Sequence, residues 1–229
     1  MISEKQKKLI YDFESSINLP EGFVYKLLDD DDWSFVIKLH SLLEAAISYS
    51  LSESIKILFK KSFPDNKVNL QAIFANLETS NKVTGKIAFL KGLDIPADAN
   101  YRGLIQHLSR MRNAMIHNIN KVGMTIKEYY NSLEKDVKKD FLDKMTFTID
   151  REIEYENKKL DREQLFELEP KIAIWINSAE CILELFSVVK ILELNNKIDD
   201  LDKEKTETHK NFFEKYAPIL LDYLNSKTK

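Results

Sequence analysis

The sequence predicts an all-α protein: a helical bundle with additional C-terminal helices and room for one short extended segment. Three observations predict it. Glycine and proline are scarce, 5 of each in 229 residues, too few for the dense turns of a sandwich or barrel. Hydrophobic residues make up 44% of the chain and charged residues 31%, the mixture expected of helices with one buried and one solvated face. Apolar residues also recur at helical spacing over several long stretches. A chain of this length supports one sizeable core, so residues 1–229 are expected to form a single domain.

The elements follow in order. Residues 3–16 have the pattern of a first helix, ended by NLPEG, where Pro20 disfavours helix at Leu19 and Gly22 permits a turn. The run DDDDW supplies an N-cap from Asp32 or a neighbour, with more negative charge facing the positive end of the next helix. Four consecutive carboxylates lack the spaced ligands and turn glycine of a calcium loop, so capping explains them. From Trp33 to about Lys61, Phe35, Leu39, Leu42, Leu43, Ala46, Ser50 and Ile57 mark a long core helix, closed by SFPDNK. Residues 68–78 predict a short helix, KVTGKIAFLKGL another with Gly92 near its end, and Pro96 opens a third.

Beyond Gly123, TIKEYYNSLEKDVKKDFLDKM predicts one exposed amphipathic helix, and the two-fold alternation of TFTIDREIEY predicts a short strand or hairpin arm. After Pro170, KIAIWINSAECILELFSVVKILELNNKI predicts a buried helix of about seven turns. The polar DDLDKEKTETHK links it to, or merges it with, a last helix near 210–225. There Phe212, Phe213, Tyr216 and Tyr223 could dock on the body or on a second subunit.

Charge and composition exclude several functions. Residues 1–120 hold 15 basic and 14 acidic side chains, and residues 121–229 hold 19 and 23. Neither half is the polycation needed to coat a nucleic acid, so any such contact rests on a few residues. The single cysteine, Cys181, excludes an internal disulfide and a cysteine zinc cluster, and its apolar neighbours predict a buried core residue. The four histidines show no HExxH or equivalent spacing, so no metal is expected, and without GxxxxGK[ST] or GxGxxG no nucleotide cofactor is expected either. No signal peptide is visible at the start and no segment approaches the ~20 apolar residues of a bilayer span. A cytoplasmic protein without membrane contact is the expectation.

The chemistry concentrates in SRMRNAMIHN, Ser109–Asn118. On an ideal helix Leu104, Leu108, Met111 and Met115 share a narrow arc, and Arg112 falls inside that apolar sector. A guanidinium there must find an anion or several acceptors. His117 stands about 140° around the helix from Arg112, so the two converge only if the helix ends near the turn-prone HNINKVG or a second subunit completes the pair. Asn113, four before His117, shares its face and can orient the imidazole. Spacing alone is weak evidence, since roughly 0.26 accidental arginine–histidine matches are expected in this composition. One is already present, because RGLIQH places Arg102 and His107 at the same separation.

RMRNAMIHN resembles the R-x4-6-H signature of the HEPN superfamily, in its RN-x3-H form. KLHSLLEAAISYSLSE and KIAFLKGLDIP resemble the helices of the mannitol operon repressor branch of that superfamily. The likeness covers roughly residues 33–120, the expected HEPN-like core, with 121–229 as a helical extension. It implies a helical bundle that dimerises. It also implies a metal-independent endoribonuclease serving as a toxin or antiphage effector, with RNA such as tRNA as substrate and an antitoxin as a further partner. By the same resemblance the catalytic residues are Arg112, Asn113 and His117, with Glu44 as the acidic residue of the preceding long helix. A histidine suits proton transfer near neutrality and an arginine fork suits phosphate oxygens. The 2'-hydroxyl would attack to leave a 2',3'-cyclic phosphate.

The rival expectation is a non-catalytic helical regulator of the mannitol-repressor type. There Arg112 is a structural ion-pair partner, with Glu44 as one choice, and His117 caps a helix end. The other histidines have plainer readings: His40 pairs with Glu44 at a helix edge, His107 is solvated, and His209 lies in a charged linker.

Overall fold

A computed structural model of the chain describes residues 3–59, 69–79, 81, 83–93, 95, 99–116, 123–149 and 152–227. SFPDNK, Pro96, His117 and the turn that follows it lie outside the described residues, as do the side chains of His209, Phe212, Phe213, Tyr216 and Tyr223. The fold is all-α, with a single two-stranded hairpin among the described residues. The chain divides into two compact units, Met1–Val189 and Lys190–Lys229.

Helix α1 (Glu4–Ser16) opens on a capping box in which Ser3 and Gln6 satisfy each other's backbone. Asn18, in the left-handed region at φ 59°, and Gly22, at φ 80°, flank the turn around Pro20. Helix α2 (Phe23–Lys26) and a 3-10 turn (Leu27–Asp29) follow. The buried Glu14 carboxylate ties this corner, accepting from the backbone N–H of Gly22 and of Val24 at 2.7 Å each. The aspartate run is spent on structure. Asp31 caps α3 (Asp32–Leu58), Asp30 binds Lys38 at 2.8 Å, and Asp32 accepts from the Ile126 N–H at 2.8 Å.

Helix α3 is the central element, with α4 (Leu70–Ala75), α5 (Lys86–Gly92) and α6 (Ala99–Ile116) packed against it. On α6, Leu104, Leu108, Met111 and Met115 are all buried, which is the predicted apolar arc, while Ile116 at its edge is exposed. The segment after Gly123 departs from expectation. It forms α7 (Ile126–Asn131) and α8 (Lys135–Met145) instead of one helix, because Ser132 and Leu133 turn back onto Tyr129 and Tyr130 and close α7. It is not merely an exposed face either: Ile126, Tyr129, Phe141 and Met145 are buried, and α8 packs on α6.

The expected extended segment is narrower than 146–155. Strands β1 (Ile153–Tyr155) and β2 (Lys158–Leu160) pair antiparallel through a two-residue turn at Glu156 and Asn157, both at positive φ. Helix α9 (Arg162–Leu168) leads into α10 (Pro170–Lys227), so the two predicted C-terminal helices are one.

In the first unit the apolar start of α10 is core. Phe186 packs edge-on to Phe13 with ring centroids 5.9 Å apart, Trp175 Nε1 donates to the Val24 carbonyl at 2.7 Å, and Cys181 is fully buried. By length and composition Pro170–Thr208 suffices to cross a bilayer, contrary to the expectation that no segment does. However, 67% of its most apolar window is buried inside the protein, as a core helix requires. The second unit continues the helix from Lys190, with Ile191, Leu194, Ile198 and Leu201 exposed.

Candidate functional site

The site forms where α3, α5 and α6 meet. Helix α3 presents His40 and Glu44 one turn apart, and α6 brings Arg112 against them. Arg112 Nη1 lies 3.4 Å from His40 Nδ1, and the same ring nitrogen lies 3.6 Å from Glu44 Oε2. From the other side, Thr79 Oγ1 donates to Glu44 Oε1 at 2.7 Å. The Lys86 charge acts on both Glu44 and His40. One carboxylate, one imidazole, one guanidinium and one ammonium thus share a single corner.

A tight turn delivers Thr79 and Lys86. Lys86 N–H donates to the Glu78 carbonyl at 3.0 Å and Ile87 N–H to the Thr79 carbonyl at 3.2 Å, while Asn81 Oδ1 accepts from Val83 and Thr84. Gly85 is required there by space: a Cβ would stand 2.5 Å from the Asn81 carbonyl oxygen. The turn therefore seats Lys86 as the first residue of α5, buried beside α3.

Protonation states follow from donors and acceptors. A guanidinium has only N–H groups to offer, so His40 Nδ1 must accept, and the ring proton sits on Nε2. Burial holds the His40 pKa below its usual 6.5, Glu44 pulls the other way, and Arg112 and Lys86 add to the lowering. Lys86 is likewise held below the usual lysine value by burial, against the pull of Glu44. Protonating His40 would turn Nδ1 into a donor, ending its acceptance from Arg112 and favouring Glu44 instead. Counting Arg112 and Lys86 as charged, Glu44 as ionised and His40 as neutral, the corner carries one net positive charge, suited to a single phosphate.

The predicted residues divide. Glu44 and Arg112, 68 positions apart in sequence, face the same imidazole. Arg112 is half-buried, as its place in the apolar arc requires, and Asn113 is exposed. His117 lies outside the described residues, one position beyond the last residue of α6. Sequence reasoning passed over Lys86 and Thr79, and it read His40 only as the helix-edge partner of Glu44. The His40–Glu44 pairing was legible from its four-residue spacing, but not its burial against Arg112.

The second arginine–histidine pair is of another kind. His107 is buried rather than solvated: its Nε2 lies 2.8 Å from Asp140 Oδ2, and Phe141 packs edge-on at 5.3 Å. Among the described residues no group of three or more histidine, cysteine, aspartate or glutamate side chains is placed to hold a metal ion. The chain matches no protein-family model, no curated protein and no solved structure.

Proposed function

We propose that this protein is a metal-independent endoribonuclease of the HEPN type, acting at the corner of His40, Glu44, Lys86 and Arg112. The observation that carries the reading is the Arg112–His40 contact. A half-buried guanidinium held by a neutral imidazole keeps its remaining N–H groups for an anion, and the Lys86 charge acts on the neighbouring Glu44 carboxylate. Arg112 and Lys86 hold the phosphate and stabilise the charge that develops on it. His40 positions Arg112, and Glu44 accepts from Thr79 while its charge acts on Lys86. His117, assigned by its motif alone, exchanges the proton. One such group takes the proton of the 2'-hydroxyl as its oxygen attacks phosphorus, and another gives a proton to the departing 5'-oxygen. The products are a 2',3'-cyclic phosphate and a 5'-hydroxyl. By the HEPN resemblance the biological role is that of a toxin or antiphage effector, with RNA as substrate and an antitoxin as a controlling partner.

Self-association belongs to the proposal. Ile191, Leu194, Ile198 and Leu201 stand at the 3-4-3 spacing of a coiled-coil seam and are 55–63% exposed. In a parallel pair of these helices Lys197 of one copy would face Asp202 of the other. Leu194→Glu with Leu201→Glu should convert a dimer to a monomer in sedimentation experiments.

One observation favours the rival reading of a non-catalytic regulator: the groups already satisfy one another, Thr79 on Glu44 and His40 on Arg112. The test is incubation of wild type, Arg112→Ala and His117→Ala with total tRNA and mixed single-stranded RNA in EDTA, followed by analysis of product ends. Cleavage by wild type alone, leaving cyclic phosphates, is expected. Intact RNA in all three reactions would overturn the nuclease reading in favour of the regulator.

A further inference from the structure

Sharing no residue with the basic corner, a cavity of about 1080 Å³ opens between α1, α2, the start of α10 and the β1 arm. This is room for a drug-sized molecule, which typically needs about 300–1,000 Å³. One wall is aromatic. The Tyr25 ring stands 6.1 Å from Tyr11 and 5.3 Å from Trp175, centroid to centroid, and Tyr155 of β1 adds a fourth ring to the lining. Ile172 and Ile176 of α10 give the cavity an aliphatic floor.

The charge of this lining is one-sided. Glu152, Glu154 and Glu156 come from the hairpin and Glu4 and Glu180 from the helices, and among the described residues Lys7 is the only cation of the lining. Lys7 already shows what the wall attracts: its Nζ lies 5.9 Å from the centroids of both Tyr11 and Tyr25. Tyr25 Oη is buried and has no hydrogen-bond partner among the described residues.

We propose that this cavity binds a small organic cation, an alkylammonium or quaternary ammonium group carried on an apolar body. Aromatic faces attract cations through their quadrupole, and carboxylates in the same cavity oppose anions. The ammonium takes the place over Tyr11 and Tyr25 that Lys7 now approaches, and the apolar body lies along Trp175, Ile172 and Ile176.

Calorimetric titration of the full chain tests it, with choline, benzyltrimethylammonium and spermidine as probes and 3,3-dimethylbutan-1-ol as the neutral analogue of choline. At least one cation should bind with a Kd below about 1 mM and at least about tenfold more tightly than the neutral alcohol. Preference for spermidine would assign a primary amine as the natural ligand, and preference for the other two a quaternary one. Glu152→Gln with Glu154→Gln, and separately Tyr25→Leu, which removes the ring face, should weaken binding, whereas Lys7→Gln should tighten it by removing the competing ammonium. A thermal melt establishes that each variant is folded. Absence of binding by all three cations, equal binding of the neutral alcohol, or affinities unmoved by the glutamate and lysine changes would overturn the proposal.

Discussion

His40 and His107 begin alike. Both are buried, both lie beside a carboxylate, and both feel the charge of an arginine of α6, Arg112 for His40 and Arg110 for His107. Burial holds both imidazoles below their usual 6.5. Their surroundings differ. His107 meets the Asp140 carboxylate and the edge of Phe141, neighbours that fix α6 against α8. His40 meets Arg112, with the Lys86 ammonium close enough to act on both it and Glu44. A buried histidine with an acid partner is ordinary packing, whereas one that accepts from a guanidinium also orients that guanidinium. The contrast is between a joint of two helices and a corner where cations gather, and it rests on the cations, not on the histidines.

The widest separation should appear in catalysis. His40→Ala removes the acceptor that orients Arg112 and should lower RNA cleavage about a hundredfold, whereas His40→Gln, whose amide oxygen accepts the same N–H, should keep most of it. A merely structural role would not give this rescue, nor the loss of activity on the acid side, below pH 6.5, that protonation of His40 predicts for the wild type.

The next effect is on stability. His107→Ala opens a cavity and strands a hydrogen bond, so a loss of about 2–3 kcal/mol is expected in denaturant unfolding, with cleavage by the folded fraction unchanged. Smaller again is the effect of pH on stability. Between the lowered values of the two histidines and 6.5, the unfolded chain binds more protons than the folded one. Their effect on stability is therefore absent above about 6.5 and grows into a loss as pH falls below it. His40→Gln with His107→Gln should flatten that part of the profile. Smallest is Arg102→Ala, expected to move stability by no more than about 0.5 kcal/mol, since among the described residues Arg102 Nε has no hydrogen-bond partner to lose.

Much of the fold was legible because its signals are local. The apolar arc of Leu104, Leu108, Met111 and Met115, the cap at Asp31 and the apolar run after Pro170 each depend on a few neighbouring residues. The break between α7 and α8 was not, because Ser132–Glu134 contains neither proline nor glycine and closes α7 through backbone bonds to the Tyr129 and Tyr130 carbonyls.

The site divides on the same physical line. Arg112 announced itself as a charge on an apolar face, whereas Glu44 was expected only through the family resemblance of its helix. His40 becomes part of the site only through the crossing of α3 and α6, which brings together residues 72 positions apart. Lys86 and Thr79 owe their places to a turn whose close approach at Gly85 leaves no periodic trace.

The most direct measurement compares the two arginine–histidine pairs in one assay: the cleavage rate of a single RNA in EDTA by wild type, Arg112→Ala and the double variant Arg102→Ala with His107→Gln, each shown to be folded. Wild type and the double variant should agree within about threefold, while Arg112→Ala falls by at least about a hundredfold. Equal losses in the two variants, or no cleavage by the wild type, would contradict the assignment of the His40–Arg112 corner as the site.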